Sequence, residues 1–262
     1  MIGSCAVESS RSFESLVAEG ASVPLDGWDF SWFDGRATEE RPPWGYAQMV
    51  AERLRLASAA LDVQTGGGEV FAWALEHNWA RPLLLAATES WPPNVVLARR
   101  RLEPLGVQVA HVDDCEPFPF DDGAVDLIVS RHPVRTDWRE VARVLRPGGT
   151  YLSQQIGAGS NKELSDFLMV SQPVGVPRKV ATVTKEAEGA GLEIRDLREA
   201  TLRVEFFDIG AVVHFLRKVL WTVPDFSVER YRDRLLALHG IIERNSSFVC
   251  HSERFLVEVT KP

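Results

Sequence analysis

The chain has 262 residues, 45% hydrophobic and 25% charged, which is globular composition and excludes a disordered or fibrous chain. Its formal charge is −8 and its pI is near 5.4, so a nucleic-acid backbone is not its default partner. Three scattered cysteines, Cys5, Cys115 and Cys250, form neither a disulfide framework nor a zinc spacing, and they predict a reducing, cytoplasmic setting.

Met1 to Leu16 lacks a basic and then apolar leader pattern, so no signal peptide is expected. Ser10–Ala18 predicts a short helix. An aromatic stretch follows, Trp28-Asp29-Phe30-Ser31-Trp32-Phe33, and then Tyr46–Leu56 predicts a helix behind Pro42-Pro43. From Ser58 the texture changes. Ala59–Val63 reads as a buried strand that ends in Gly66-Gly67-Gly68, and Glu69–His77 as a helix. Pro82–Ala87 predicts a second strand, Val95–Leu105 a helix, Val107–Val112 a third strand and Val125–Ser130 a fourth. Trp138, Val141, Ala142 and Leu145 have helical spacing, and Thr150–Gln155 predicts a fifth strand after Pro147-Gly148-Gly149. The longest apolar stretch, Leu83–Ala87, is far shorter than the roughly 20 residues of a membrane span.

This alternation predicts an α/β chain with a parallel sheet covered by helices on both faces. Beyond it, Lys179–Glu188 predicts a helix, and Leu192–Leu197 and Leu202–Phe207 read as strands. Ile209–Trp221 and Val228–Arg244 predict apolar helices, and Phe255–Val259 a closing strand. The expected organisation is an N-terminal cap over 1–57, a core over 58–197, an inserted cap over 198–246 and a closing core strand in 247–262.

Chemistry concentrates at the first strand–turn–helix, Asp62-Val63-Gln64-Thr65-Gly66-Gly67-Gly68-Glu69. Glycines there let a ligand approach the backbone, and in an open parallel sheet the ligand crevice lies beyond the carboxyl ends of the strands. A dinucleotide fingerprint would need glycine where Phe71 stands, and a Walker A loop would need a lysine that is missing. The acids Asp62 and Glu69 suit a cofactor that brings a sulfonium and an ammonium. Glu89 ends the second strand at an offset where an acid can accept both hydroxyls of a ribose. Asp114 follows the third strand, with Asp113 beside it, and can accept from an adenine amine.

Five motifs then stand in order: Asp62 to Gly68; Thr88-Glu89-Ser90 with Leu97-Ala98-Arg99; Asp114 to Asp121; Asp126 to His132; and Leu145-Arg146-Pro147-Gly148-Gly149. Together, over about residues 46–197, they resemble the class I S-adenosylmethionine-dependent methyltransferases, and among them the small-molecule branch that includes the quinone-biosynthesis C-methyltransferases. The resemblance implies a Rossmann-like, seven-stranded, mostly parallel sheet whose last strand is antiparallel. It implies that Asp62, Val63, Gln64, Thr65, Gly66 and Gly68 wrap the methionine part of S-adenosyl-L-methionine. Glu89 and Ser90 would then hold the ribose, Asp114 and Cys115 would meet adenine, and Ser130, Arg131 and His132 would line the methyl-transfer site. Gln64 departs from the family, whose first turn residue is glycine.

His132 and His214 are the candidate catalytic residues, because a histidine titrates near working pH. Arg99-Arg100-Arg101 reads as the solvated face of a helix, so no nucleic-acid partner is expected. No spacing suggests a metal site. The aromatic cap segments point to a small organic acceptor, and neither the acceptor nor the oligomeric state is legible. The other readings are methylation of RNA or protein, and a cofactor-binding member without methyl transfer.

Overall fold

The computed structural model describes residues 11–25, 30–114, 116–169, 171 and 178–262. The expectations for Cys5, Trp28 and Cys115 lie outside them. In chain order the structure runs α1 (Phe13–Ser22), β1 (Ala37–Glu39), α2 (Tyr46–Leu54), β2 (Ala59–Val63), α3 (Glu69–Glu76), β3 (Leu84–Glu89), α4 (Pro92–Leu102) and β4 (Gln108–His111). Then come β5 (Val125–Arg131), α5 (Trp138–Val144), β6 (Leu145–Ile156), α6 (Lys162–Leu168), α7 (Val180–Gly189), β7 (Glu193–Phe206), α8 (Ile209–Lys218), α9 (Val228–Asn245) and β8 (Phe248–Thr260).

These strands make one sheet in the order β1-β7-β8-β6-β5-β2-β3-β4. From β6 to β4 every neighbouring pair is parallel, and β8 enters antiparallel between β6 and β7. This is the expected Rossmann-like sheet with one addition. Ala37–Glu39, from the N-terminal segment expected only to cap the core, pairs antiparallel with Phe206–Val204 as an eighth, edge strand. Three residues give too little hydrophobic periodicity to be read as a strand.

The parallel strands are buried on both faces, so their runs are continuously apolar rather than alternating. Ala60, Leu127 and Val129 face one core with Leu54, Phe71, Leu75 and Leu102. Their neighbours Leu61 and Ile128 face the other, with Trp138, Tyr151, Val183 and Phe255. Period-two alternation of side chains across a strand separates the two layers.

The two strand-like stretches around residues 192–207 are one continuous strand, β7, which pairs with β8 from Glu193↔Thr260 to Phe206↔Phe248. The expected boundary at 197 therefore falls inside β7. The outer end of this hairpin carries a third apolar cluster, in which Phe13 and Leu16 of α1 meet Val204, Phe206, Leu216, Leu235 and Leu238. The N-terminal residues thus divide. Helix α1 joins the β7–β8 end, whereas Trp44, Tyr46 and Met49 pack on the main sheet.

Candidate active site

The carboxyl ends of β2, β3 and β5 converge on a crevice lined by Val63, Gln64, Thr88, Glu89, Val112, Asp113, Asp114, Ser130 and the loop 133–137. Two adjacent strands, β2 and β5, are each followed by a residue with left-handed backbone: Gln64 has φ 55° and His132 φ 56°. Non-glycine residues rarely occupy that region, and such strain collects at functional sites. Gly68 (φ 81°) closes the turn onto α3, and a Cβ there would lie 2.8 Å from Leu102. The third glycine therefore serves close packing of the turn against α4.

Glu89 is the hub. Its Oε2 accepts from Gly66 N–H at 2.7 Å, and its Oε1 from the N–H groups of Ser90 and Trp91 at 3.1 and 3.0 Å. It is 6% exposed, and burial raises its pKa against these bonds, which lower it. The Asn94 side chain adds a fourth hydrogen bond to this carboxylate, so its roughly four acceptor positions are engaged and a ligand hydroxyl has to share or displace one. Ser90 contributes only backbone, its carbonyl accepting from His111 Nε2 in the tautomer with Nε2–H.

Asp62 lies beneath the turn. Its Oδ2 accepts from Thr65 Oγ1 at 2.5 Å, and burial, with Glu89 nearby, raises its pKa to about 7. Ser130 is fully buried and donates to Val63 O at 2.8 Å, which ties β5 to β2 below the crevice.

Gln64 spans the opening. Its Nε2 donates to Arg135 O and its Oε1 accepts from Val134 N–H, both at 2.7 Å. The amide thus pins loop 133–137 to the β2 turn. The free space enclosed beneath is about 30 Å³, the volume of one water rather than the 300 Å³ or more of a ligand site.

On its far side the same loop walls a second space. Pro133, Val134, Arg135, Thr136, Asp137, Trp138 and Arg139 face Gln155, Ile156, Arg178, Val183 and Glu186 across a groove of about 630 Å³. A ligand-sized space therefore adjoins the narrow crevice, with loop 133–137 between them.

Of the two candidate histidines, only His132 is beside the crevice. Trp44 Nε1–H donates to Gln154 Oε1 at 2.8 Å, and Gln154 Nε2 lies 2.9 Å from His132 Nε2. Indole nitrogen only donates, so the amide must present its NH₂ to the imidazole. His132 Nε2 is then an acceptor and the ring proton sits on Nδ1. Burial, with Arg131 and Arg254 nearby, pushes its pKa well below 6.5. Its titration thus leaves the neutral range on which the expectation of a general base rested. Arg131 itself is exposed and is not among the crevice residues.

His214 stands elsewhere. It is 1% exposed on α8, between the rings of Trp32 and Phe33 at 5.0 Å each, and it lines neither space. Burial and the charges of Lys218, Arg217 and Arg36 hold its pKa at about 4.

Thr88, Thr136 and Tyr151 also line the crevice, with Glu116, Phe118 and Val141, and none of them was expected to bind a ligand. Thr88 directly precedes Glu89 at a strand end, a signal that was available. Tyr151 lies inside a strand at a position indistinguishable from core, its hydroxyl 3.3 Å from Thr136 Oγ1. Among the described residues no group of three or more His, Cys, Asp or Glu could hold a metal ion, and no helix is long and apolar enough to cross a membrane.

No curated protein matches the chain by sequence. Residues 61–153 match the family model described as a methyltransferase domain. Solved structures share the fold at low identity. A Bacillus subtilis protein, YcgJ, is 16% identical with a TM-score of 0.59, covering 82% of this chain and 97% of its own. A [4+2]-cyclase, SpnF, is 19% identical with a TM-score of 0.51, covering 82% and 80%. Geranyl diphosphate methyltransferase, solved with S-adenosylmethionine, is 12% identical with a TM-score of 0.51, covering 82% and 84%. The matched segment, residues 61–153, runs from β2 into β6, so the methyltransferase pattern coincides with the strands that build the crevice of this Rossmann-like fold.

Proposed function

We propose that this protein is an S-adenosylmethionine-dependent methyltransferase that acts on a small organic acceptor. The observation that carries the reading is Glu89: a buried carboxylate at the end of β3, aimed across a glycine turn by three backbone N–H groups. The donor set fits the cofactor chemically. Glu89 would accept from a ribose hydroxyl in place of one of its present donors, such as the Asn94 side chain. Asp113 or Asp114 would accept from the adenine amine between Val112 and Phe118. Asp62, poised at about 7, would ionise beside a cation and neutralise it.

When bound, the cofactor supplies a methyl group on a sulfonium that is already a good leaving group. This chain has then to align the acceptor with that methyl and exclude water. The groove behind loop 133–137 is the acceptor space in this reading. Neutral His132, fixed as the Nδ1–H tautomer, would donate a hydrogen bond rather than abstract a proton.

The reading includes a cytoplasmic protein without a nucleic-acid or membrane partner. Two of the three arginines on α4 bear on the nucleic-acid part of it. Arg101 is bonded to Gly67 O and Glu69, and Arg99 approaches Val109 O and Glu103. They are thus committed to local contacts. Loop 133–137, pinned by Gln64, favours a second reading, a cofactor-binding protein that does not transfer methyl. The fold leaves that open, since it also serves a [4+2]-cyclase. Incubation with S-adenosylmethionine labelled in its methyl group, against panels of metabolites, RNA and peptides, separates the readings. Label in a small molecule is expected. Label in RNA or protein supports the macromolecular alternative, and saturable binding without transfer in any panel supports the second reading.

A further inference from the structure

Guanidinium groups in this chain divide into matched and unmatched ones. Arg36, Arg53, Arg143 and Arg254 each face a carboxylate within hydrogen-bond distance. The groove behind loop 133–137 gathers three of the unmatched ones. It is lined by Arg135, Arg139 and Arg178, and among the described residues none of the three makes an ion pair. Arg178 is the least solvated. It is half-buried, its guanidinium lies 5.5 Å from the centre of the Trp221 ring, and burial lowers its pKa with no acid to offset it. A cation withdrawn from water without a counter-charge is costly, and an oxyanion would relieve that cost.

Two acids also line the groove, Asp137 and Glu186. Asp137 is engaged, its Oδ1 accepting from the N–H groups of Arg139 and Glu140 at 3.0 and 3.1 Å as the N-cap of α5. Glu186 has no such bond among the described residues and is the stronger competitor for the arginines. The remaining walls join apolar Trp138, Ile156 and Val183 to polar Thr136 and Gln155. Space, charge and lining together describe a site for a small apolar body that carries an anionic group.

We propose that the acceptor is held in this groove by a carboxylate or phosphate group paired with Arg178, assisted by Arg139. This rests on the methyltransferase reading only in calling the ligand an acceptor, because the anion site itself stands on the groove.

Calorimetric titration with benzoate, phenyl phosphate and neutral benzamide tests it, on the wild type, Arg178→Gln and Glu186→Gln. Saturable binding of at least one anion is expected, and the stronger of the two identifies carboxylate or phosphate as the source. Benzamide is expected to bind about tenfold more weakly or worse. Arg178→Gln should weaken the anion about tenfold or more, and Glu186→Gln should tighten it. S-adenosylmethionine affinity of Arg178→Gln should stay within about twofold of wild type, which would show an intact fold. Absence of saturable anion binding, or equal affinity in wild type and Arg178→Gln, overturns the proposal. Loss of S-adenosylmethionine binding by the wild type with anion binding retained would instead overturn the methyltransferase reading and leave the anion site standing.

Discussion

The two spaces on either side of loop 133–137 are built in opposite ways. The crevice holds about 30 Å³ of free space, and its polar groups are already bonded to one another: Glu89 to Gly66, Gln64 to the loop, Asp62 to Thr65. The groove holds about 630 Å³, and among the described residues its three arginines make no ion pair. The crevice is therefore closed by its own bonds, and a ligand must replace bonds that exist. The groove offers unused charge, and a ligand there gains contacts without breaking any. Affinity in the first is a difference between bonds made and bonds lost, whereas in the second it is limited by desolvation.

The largest test of this contrast is Asp62. Its folded-state pKa of about 7 exceeds the ordinary carboxyl value near 3.9, so the native state holds a proton that the unfolded chain has lost. Stability should then fall as pH rises from about 4 to about 7, by at most about 4 kcal/mol. Asp62→Asn should remove that slope, because it needs no proton and can still accept from Thr65. Denaturant titrations at pH 5 and pH 8 read it directly, and an unchanged slope would mean that Asp62 is ionised throughout.

Glu89→Ala comes next. A charge-assisted bond contributes roughly 1.5–3 kcal/mol, so S-adenosylmethionine affinity should fall about ten- to a hundredfold. The variant also leaves the N–H groups of Gly66, Ser90 and Trp91 without their acceptor. Glu89→Gln, which keeps one oxygen acceptor, should recover stability more than affinity. Equal affinity in both variants and wild type would remove Glu89 from the site.

A smaller effect is expected at Gln64. Gln64→Gly relieves a left-handed side chain, worth about 1 kcal/mol, and removes both bonds to residues 134 and 135. Stopped-flow association of S-adenosylmethionine should accelerate about tenfold. Slower association or weaker binding would instead make the Gln64 amide a ligand contact. The smallest effect is at His132. Its imidazole resonances should stay in the neutral form from pH 8 down past 6.5, and a titration centred near 6.5 would break the Trp44–Gln154–His132 assignment.

The same contrast explains what was legible in the sequence. The crevice is made of residues adjacent to strand ends, and strand ends announce themselves by apolar runs that stop at glycine or acid. Asp62 to Gly68, Glu89 and Asp114 could therefore be placed, and so could every parallel strand. Gln64 was recognisable as a departure, but its hydrogen bonds depend on how far loop 133–137 folds back, which no local pattern encodes. The groove draws on residues 133–139, 155–156 and 178–190, which are brought together only by the crossover between β6 and β7. Arg178 has no motif around it. His214 was a catalytic candidate only because a histidine titrates near working pH, and the structure seals it between Trp32 and Phe33. Strand β1 is short and half-polar, and only the free edge of β7 makes it a strand.

The central claim is that the crevice is a site for S-adenosylmethionine, and equilibrium dialysis of the wild-type protein against the radiolabelled cofactor tests it most directly. The account predicts saturation at one cofactor per chain, with displacement by S-adenosylhomocysteine but not by NAD or ATP. Absence of saturable binding, or displacement by NAD or ATP, would contradict it.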